Sequence, residues 1–356
     1  MILDAHVHLI TGTPGNEYLP PRLRWAFAMA WAYSGPPPWN RDPLDFYPRQ
    51  EQRVTDPDGT ATIAAMDKAG VDAAVLIHAD FGYVLGQPAP KGMEEMHQDY
   101  ANLEQRYPGR FHPFAGPDIR RPNSLQFVQQ GIANGRFKGL KVFPHVGYSP
   151  ADPLLSPFYD TCLEAGVPVA ICTNFEPPYT PFTRGRFNNP MAITQVVADF
   201  PDLNVIIFHA GYPFDLWFEQ CLNIAQYATN AYLEIDAWVM GFNSFPESIS
   251  EEESIRRLHQ ARTMVGAHRI IFGSDGQFSP SSWGEQNAQR YARRVAFWKE
   301  LPERSKRYGI TFSREEVDLM LGLNLARLLK LVDMPEYAAK RRYGWKMPTP
   351  LPRPSP

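Results

Sequence analysis

The sequence predicts a TIM-type (β/α)8 barrel of the α/β class. Three observations carry this expectation. Short apolar segments alternate with helical patterns along most of the chain. Several of these segments are near-continuous apolar runs, such as Val205-Ile206-Ile207-Phe208, as a parallel sheet covered on both faces requires. Eight strand–helix units fit into about 300 residues, the size of such a barrel. A doubly wound open sheet is the competing arrangement. It is weakened because no Gly-x-Gly-x-x-Gly follows the first strand.

The elements follow in order. Strands are expected at residues 2–8, 71–79, 110–115, 139–143, 167–173, 204–210, 231–236 and 269–274. Helices are expected at 60–69, 92–106, 122–134, 155–165, 192–199, 214–227 and 251–265. Glycine marks many joints, as in Ala69-Gly70-Val71 and Ala165-Gly166-Val167. A last helix at 314–331 would pack on the outside. No internal repeat or domain boundary is evident, so residues 1–331 form one domain. Proline and aromatic residues concentrate in 11–58, in 174–190 and from Met334 onward. Proline stiffens loops without strand or helix pairing. Residues 9–59 therefore read as a long ordered lid after the first strand, and 332–356 as a Pro-rich tail against a neighbouring surface or subunit, in keeping with a homodimer.

Bulk properties narrow the function. A net charge of −3 over 356 residues and a pI near 6.3 argue against a nucleic-acid or membrane-surface role. The partner is a small-molecule substrate. The longest aromatic–apolar run, 25–33, is too short to span a bilayer. Three cysteines without tight spacing do not make a disulfide framework, and a reducing compartment fits them. The chain enters its first strand almost at once, which leaves no room for a signal peptide and points to the cytoplasm.

The chemistry of a TIM barrel sits at the C-terminal ends of its strands. Side chains alternate along a strand, so His6 and His8 in the first strand face the same way. Two imidazoles at a strand end make half of a metal site. The same rim collects His78 and Asp80, Lys141 and His145, Cys172, Asn174 and Glu176, His209, and Asp275. His78 and His145, at strand–loop junctions, are candidates to touch substrate. Asp4 has the opposite parity and reads as a supporting carboxylate. His112 reads as a core histidine; His97, His259 and His268 fall in helical contexts and are expected at the surface. In the lid, Trp25, Trp31, Tyr33 and Trp39 offer flat apolar area for a cyclic or aromatic substrate. Arg184 and Arg186 could clamp a substrate carboxylate.

Four motifs go further: Asp-Ala-His-Val-His at 4–8, Phe-His-Ala-Gly at 208–211, Phe-Gly-Ser-Asp at 272–275 and Leu-Gly-Leu-Asn-Leu-Ala-Arg-Leu-Leu at 321–329. In this order they resemble the amidohydrolase superfamily, in the amidohydrolase-related branch that includes aminocarboxymuconate-semialdehyde decarboxylase and the resorcylate-type decarboxylases. The resemblance implies a barrel holding a divalent metal, zinc first, with iron or manganese as alternatives. It implies His6 and His8 as ligands, Asp275 as ligand and proton shuttle, and His209 as the residue that polarises or positions substrate, or binds a second metal. One departure stands out. The family's fifth strand ends Pro-Val-x-x-His, with the histidine a ligand; here it reads Pro168-Val169-Ala170-Ile171-Cys172. Cys172 is either a replacement thiolate ligand or a packed thiol, and Glu176 could substitute from the following loop. Lys141 would ligate only in a binuclear site, as a carboxylated bridge. Otherwise its stem packs on the barrel and its head pairs with a rim acid.

Three functions compete. The first is a metal-dependent hydrolase using activated water on an amide, lactone or ester of a cyclic or aromatic small molecule. The second is a non-oxidative decarboxylase of an aromatic or unsaturated carboxylic acid. The third is a binding barrel without catalysis.

Overall fold

The computed structural model describes residues 1–33, 41–86, 88–175, 184–241 and 249–332. Trp39, Glu176 and the tail from residue 333 lie outside the described residues. The strands are β1 (Leu3–His8), β2 (Ala73–Ile77), β3 (Phe111–Pro113), β4 (Leu140–Val142), β5 (Val169–Cys172), β6 (Val205–Phe208), β7 (Ala231–Glu234), β8 (Ile270–Ile271) and β9 (Gly276–Gln277). All pair in parallel, in the orders β3-β2-β1-β9 and β4-β5-β6-β7-β8.

Hydrogen bonds join the two sheets at both seams. Between β3 and β4, Ala115 N–H donates to Gly139 O at 2.9 Å and Lys141 N–H to Ala115 O at 2.6 Å. Between β8 and β1, Ala5 N–H donates to Phe272 O at 3.1 Å. The fold is the expected TIM barrel. Strands β2 to β8 are buried on every residue, which explains the unbroken apolar runs of β2, β5, β6 and β8. The inner and outer layers form one continuous apolar core.

The helices expected at 60–69 and 251–265 form with those bounds, Thr60–Ala69 and Glu251–Val265. Gly70 ends the first in a left-handed conformation (φ 71°) that only glycine adopts without cost. Ser250 starts the second, accepting from Glu253 N–H.

Three expectations need correction. The lid is not only a loop, because it contains the helix Pro21–Tyr33. Among its described residues, the Glu51 carboxylate accepts from Tyr18 N–H at 2.8 Å and Leu19 N–H at 3.2 Å, and Tyr18 Oη donates to Ala79 O at 3.0 Å. Secondly, the helix Ser282–Lys299 follows β9, where no element was expected. Its buried face includes Asn287, Tyr291 and Arg294, and these polar residues blur the apolar stripe. Thirdly, the last helix is interrupted by a π turn, Leu319–Leu323. At that turn Met320 O accepts from Phe272 N–H at 2.9 Å, so the C-terminal segment braces the end of β8.

Trp298, fully buried, packs edge-on against Phe272 with ring centroids 5.9 Å apart, next to the β8–β1 seam. Trp298→Ala is expected to cost about 3–5 kcal/mol of stability, read as a lower urea midpoint. A loss below about 1 kcal/mol would contradict this placement.

Candidate metal centre

The rim side chains are placed by strand ends. His6 and His8 leave β1 on one face. His6 is fully buried, and the His8 side chain is 20 % exposed. Asp275 is the last residue of the break between β8 and β9, with φ at 50°. Their ligand atoms converge. His6 Nε2 and His8 Nε2 lie 3.2 Å apart, and Asp275 Oδ1 lies 3.3 Å from the first and 3.0 Å from the second.

These separations fit a divalent ion. Ligand bonds of about 2.0–2.2 Å, with angles between a right angle and the tetrahedral value, give edges of about 2.8–3.6 Å. The protonation states fit as well, because metal ligands must be deprotonated. Burial, then Lys141, His209 and His8, lower the His6 pKa far below its usual value, so the imidazole is neutral. Burial alone would raise Asp275, but the hydrogen bond and charge of His8, with His209 and Lys141, outweigh it and hold the carboxyl at about 2.

A second layer holds these groups in place. The other His6 nitrogen, Nδ1, faces Glu234 Oε2 at 3.6 Å, and the His6 ring stacks on Phe208 at 4.4 Å. A carboxylate behind a ligating imidazole fixes its orientation. Gly273 is needed here, since a Cβ would sit 2.0 Å from Glu234 Oε1. Burial, then repulsion from Asp236, raises Glu234 well above the usual carboxylate range. Asp4 joins β1 to the turn before Asp275: its Oδ1 accepts from His6 N–H at 2.9 Å and Ser274 N–H at 3.0 Å. Burial, only partly offset by these hydrogen bonds, raises its pKa to about 6. From the helix Ser282–Lys299, buried Arg294 donates to Ser274 O at 2.8 Å and to Gly241 O.

His209 ends β6. Its backbone N–H donates to Glu234 Oε2 at 2.8 Å, and Nδ1 lies 2.7 Å from Asp236 Oδ2. Burial works against the imidazolium, but the charge and hydrogen bond of Asp236, with Cys172, outweigh it and raise the pKa well above normal. His209 and Ala210 have positive φ, 65° and 41°. Backbone strain of this kind persists only where the surroundings over-determine it, as at functional sites.

The other candidates divide. Cys172 Sγ lies 3.6 Å from His209 Nε2, but among the described residues it joins no group of three ligand atoms within 4.8 Å of one another. His6, His8 and Asp275 form one such group; His6, His209, Glu234 and Asp236 form another. Lys141 does not meet a rim acid: its buried Nζ has no hydrogen-bond partner among the described residues and lies 4.0 Å from the Phe208 ring centroid. His78 is buried with neither ring nitrogen bonded among the described residues, and burial, then His8 and Arg121, lowers its pKa to about 3. His145 is buried against the Asn188 amide at 2.8 Å. Asp80 pairs with Arg121 at 2.7 Å. Arg184 and Arg186 are exposed, and Trp25 is 42 % exposed, edge-on to Tyr47. His97 is not a surface residue. It is fully buried, with Nε2 accepting from Gly116 N–H at 3.1 Å and its ring against His78 at 4.1 Å.

Sequence reasoning missed Glu234, Asp236 and Arg294. The two acids had a legible signal: Leu233-Glu234-Ile235-Asp236 places them two apart at a strand end, as in His6 and His8. Arg294 had none, since it acts across the fold from a helix.

The chain matches the amidohydrolase family model over residues 3–331 and belongs to that family. No curated protein matches it. Among solved structures it is similar to an uncharacterized TIM-barrel protein from Bordetella bronchiseptica (19 % identity, TM-score 0.57, 92 % of this chain and 98 % of that one). It is also similar to 5-carboxyvanillate decarboxylase from Novosphingobium aromaticivorans, complexed with manganese and 4-hydroxy-3-methoxy-5-nitrobenzoic acid (14 %, 0.58, 93 % and 96 %). A third is a probable 2-pyrone-4,6-dicarboxylic acid hydrolase from Acinetobacter baumannii (15 %, 0.57, 92 % and 99 %). At these identities the likeness establishes the fold. Family and buried cluster together support a divalent metal. No described helix is long and apolar enough to cross a membrane.

Elemental analysis provides a test. His8→Ala and Asp275→Ala are expected to lose the ion, Glu234→Gln to bind it about 10- to 100-fold more weakly, and Cys172→Ala to keep it. Loss of metal in Cys172→Ala with a folded chain would make the thiol a ligand.

Proposed function

We propose that this chain is a divalent-metal-dependent hydrolase, with zinc the expected ion, acting on an amide, lactone or ester of a cyclic or aromatic small molecule. The observation that carries the reading is the convergence of His6 Nε2, His8 Nε2 and Asp275 Oδ1 within 3.3 Å at the C-terminal mouth of the barrel. When bound, a divalent ion supplies Lewis acidity, polarising a carbonyl oxygen and acidifying water.

The chain's own groups supply the rest. Asp275 is anionic at neutral pH, so it starts as a proton acceptor. It takes the proton of the attacking water and passes it to the leaving group. His209, held cationic against Asp236, donates from Nε2 to the negative charge that develops on the carbonyl oxygen. Cys172 Sγ lies 3.6 Å from that nitrogen and is a weak acceptor that a carbonyl oxygen outcompetes. His78 and His145 would contact substrate at the strand–loop junctions, and Trp25 would border its apolar body.

A second reading is non-oxidative decarboxylation. It is supported by the similarity to a 5-carboxyvanillate decarboxylase, while the similarity to a pyrone hydrolase supports the first. The isotope in the product separates them. Hydrolysis places ¹⁸O from water in a new carboxylate, whereas decarboxylation places solvent deuterium at carbon. Under either reading Asp275→Asn is expected to lower kcat by about 10²- to 10⁴-fold without unfolding the chain. Unchanged turnover would overturn both.

A further inference from the structure

We propose that Lys141 is a fixed counter-charge for a carboxylate on the substrate, so that the site selects anionic molecules. The inference rests on the reading of this barrel mouth as a metal-dependent active site. It begins from a group that the mechanism above does not use. Lys141 lies in the middle of β4, is 2 % exposed, and its Nζ has no hydrogen-bond partner or ion pair among the described residues. A buried ammonium without a partner is expensive, and such groups are normally paired. The contact it does make is with the face of Phe208, 4.0 Å from the ring centroid. A ring face attracts a cation but leaves the three N–H donors unfilled.

Its position ties it to the metal centre. Phe208 stacks on His6 at 4.4 Å, so a single ring relates Nζ to the first ligand. The acids of the metal centre turn to other partners: Asp275 is shared by His6 and His8, Asp236 faces His209, and Glu234 accepts the His209 backbone N–H through Oε2 while its Oε1 is unfilled. Among the described residues none of them bonds to the Lys141 Nζ. A divalent ion would add further positive charge to the same space. The acceptor missing from this arrangement is an anion, and a carboxylate supplies two oxygens to the ammonium.

Calorimetric titration of the metal-loaded, full-length protein with benzoate and with its neutral isostere benzamide tests this. The wild type is expected to bind benzoate at least tenfold more tightly. Lys141→Met is expected to keep its metal and lose benzoate affinity by roughly 10- to 100-fold, and Lys141→Arg to recover part of it. Repeating the titration after chelation separates the two claims. A benzoate preference that survives chelation and depends on Lys141, in a protein that never holds a metal, sinks the metal reading and leaves this one standing. Wild-type protein that binds benzoate no better than benzamide overturns the proposal, whatever the variants do. So does a metal-replete Lys141→Met that binds benzoate like the wild type. Borohydride trapping of a carbonyl compound on Lys141 would replace the ion pair with an imine and also overturn it.

Discussion

The site depends on one tie across the chain. Asp4 Oδ1 accepts hydrogen bonds from His6 N–H and from Ser274 N–H, partners 270 residues apart in the second case. The first bond fixes the strand that carries both imidazoles. The second fixes the turn that carries the carboxylate. Barrel closure at the β8–β1 seam, through Ala5 and Phe272, brings the two within reach. Packing alone leaves side chains free to choose rotamers, but this buried acid sets the backbone on either side of the seam. The His-x-His motif and the distant aspartate therefore act as one unit only in the closed barrel.

Around that tie, burial sorts the charge states. It pushes His6 and Glu234 toward their neutral forms, while specific partners favour the charged forms of Asp275 and His209 against the same desolvation. A neutral His6 imidazole beside an ionised carboxylate suits cation binding, and an imidazolium paired with Asp236 suits stabilising an oxyanion. Divergent environments of this kind assign different roles to chemically similar groups. The positive φ angles at His209, Ala210 and Asp275 fall at the ends of β6 and β8, where these side chains must turn into the mouth.

Much of this was legible in the sequence, and the physical reasons are specific. Strand positions followed from apolar runs because a parallel sheet is covered on both faces. The helices Thr60–Ala69 and Glu251–Val265 were legible from terminal glycines and first-turn acids. Helix Pro21–Tyr33 hid among aromatic residues without a polar face, and Ser282–Lys299 hid because Arg294 and Asn287 lie on its buried side. His6, His8 and Asp275 came from motif and strand-end position. Glu234 and Asp236 carried a legible spacing, two apart at a strand end, but the neighbours they support are distant in sequence and came only from contacts. Lys141 shows the limit most clearly: a strand lysine was expected to find an acid, and it finds an aromatic ring instead.

The most direct test is anomalous diffraction from crystals grown with zinc, recorded on both sides of the zinc absorption edge. The account predicts a single strong peak about 2.0–2.2 Å from His6 Nε2, His8 Nε2 and a carboxylate oxygen of Asp275. A map with no peak at this mouth, or with the ion seated between Glu234 and Asp236 instead, would contradict it.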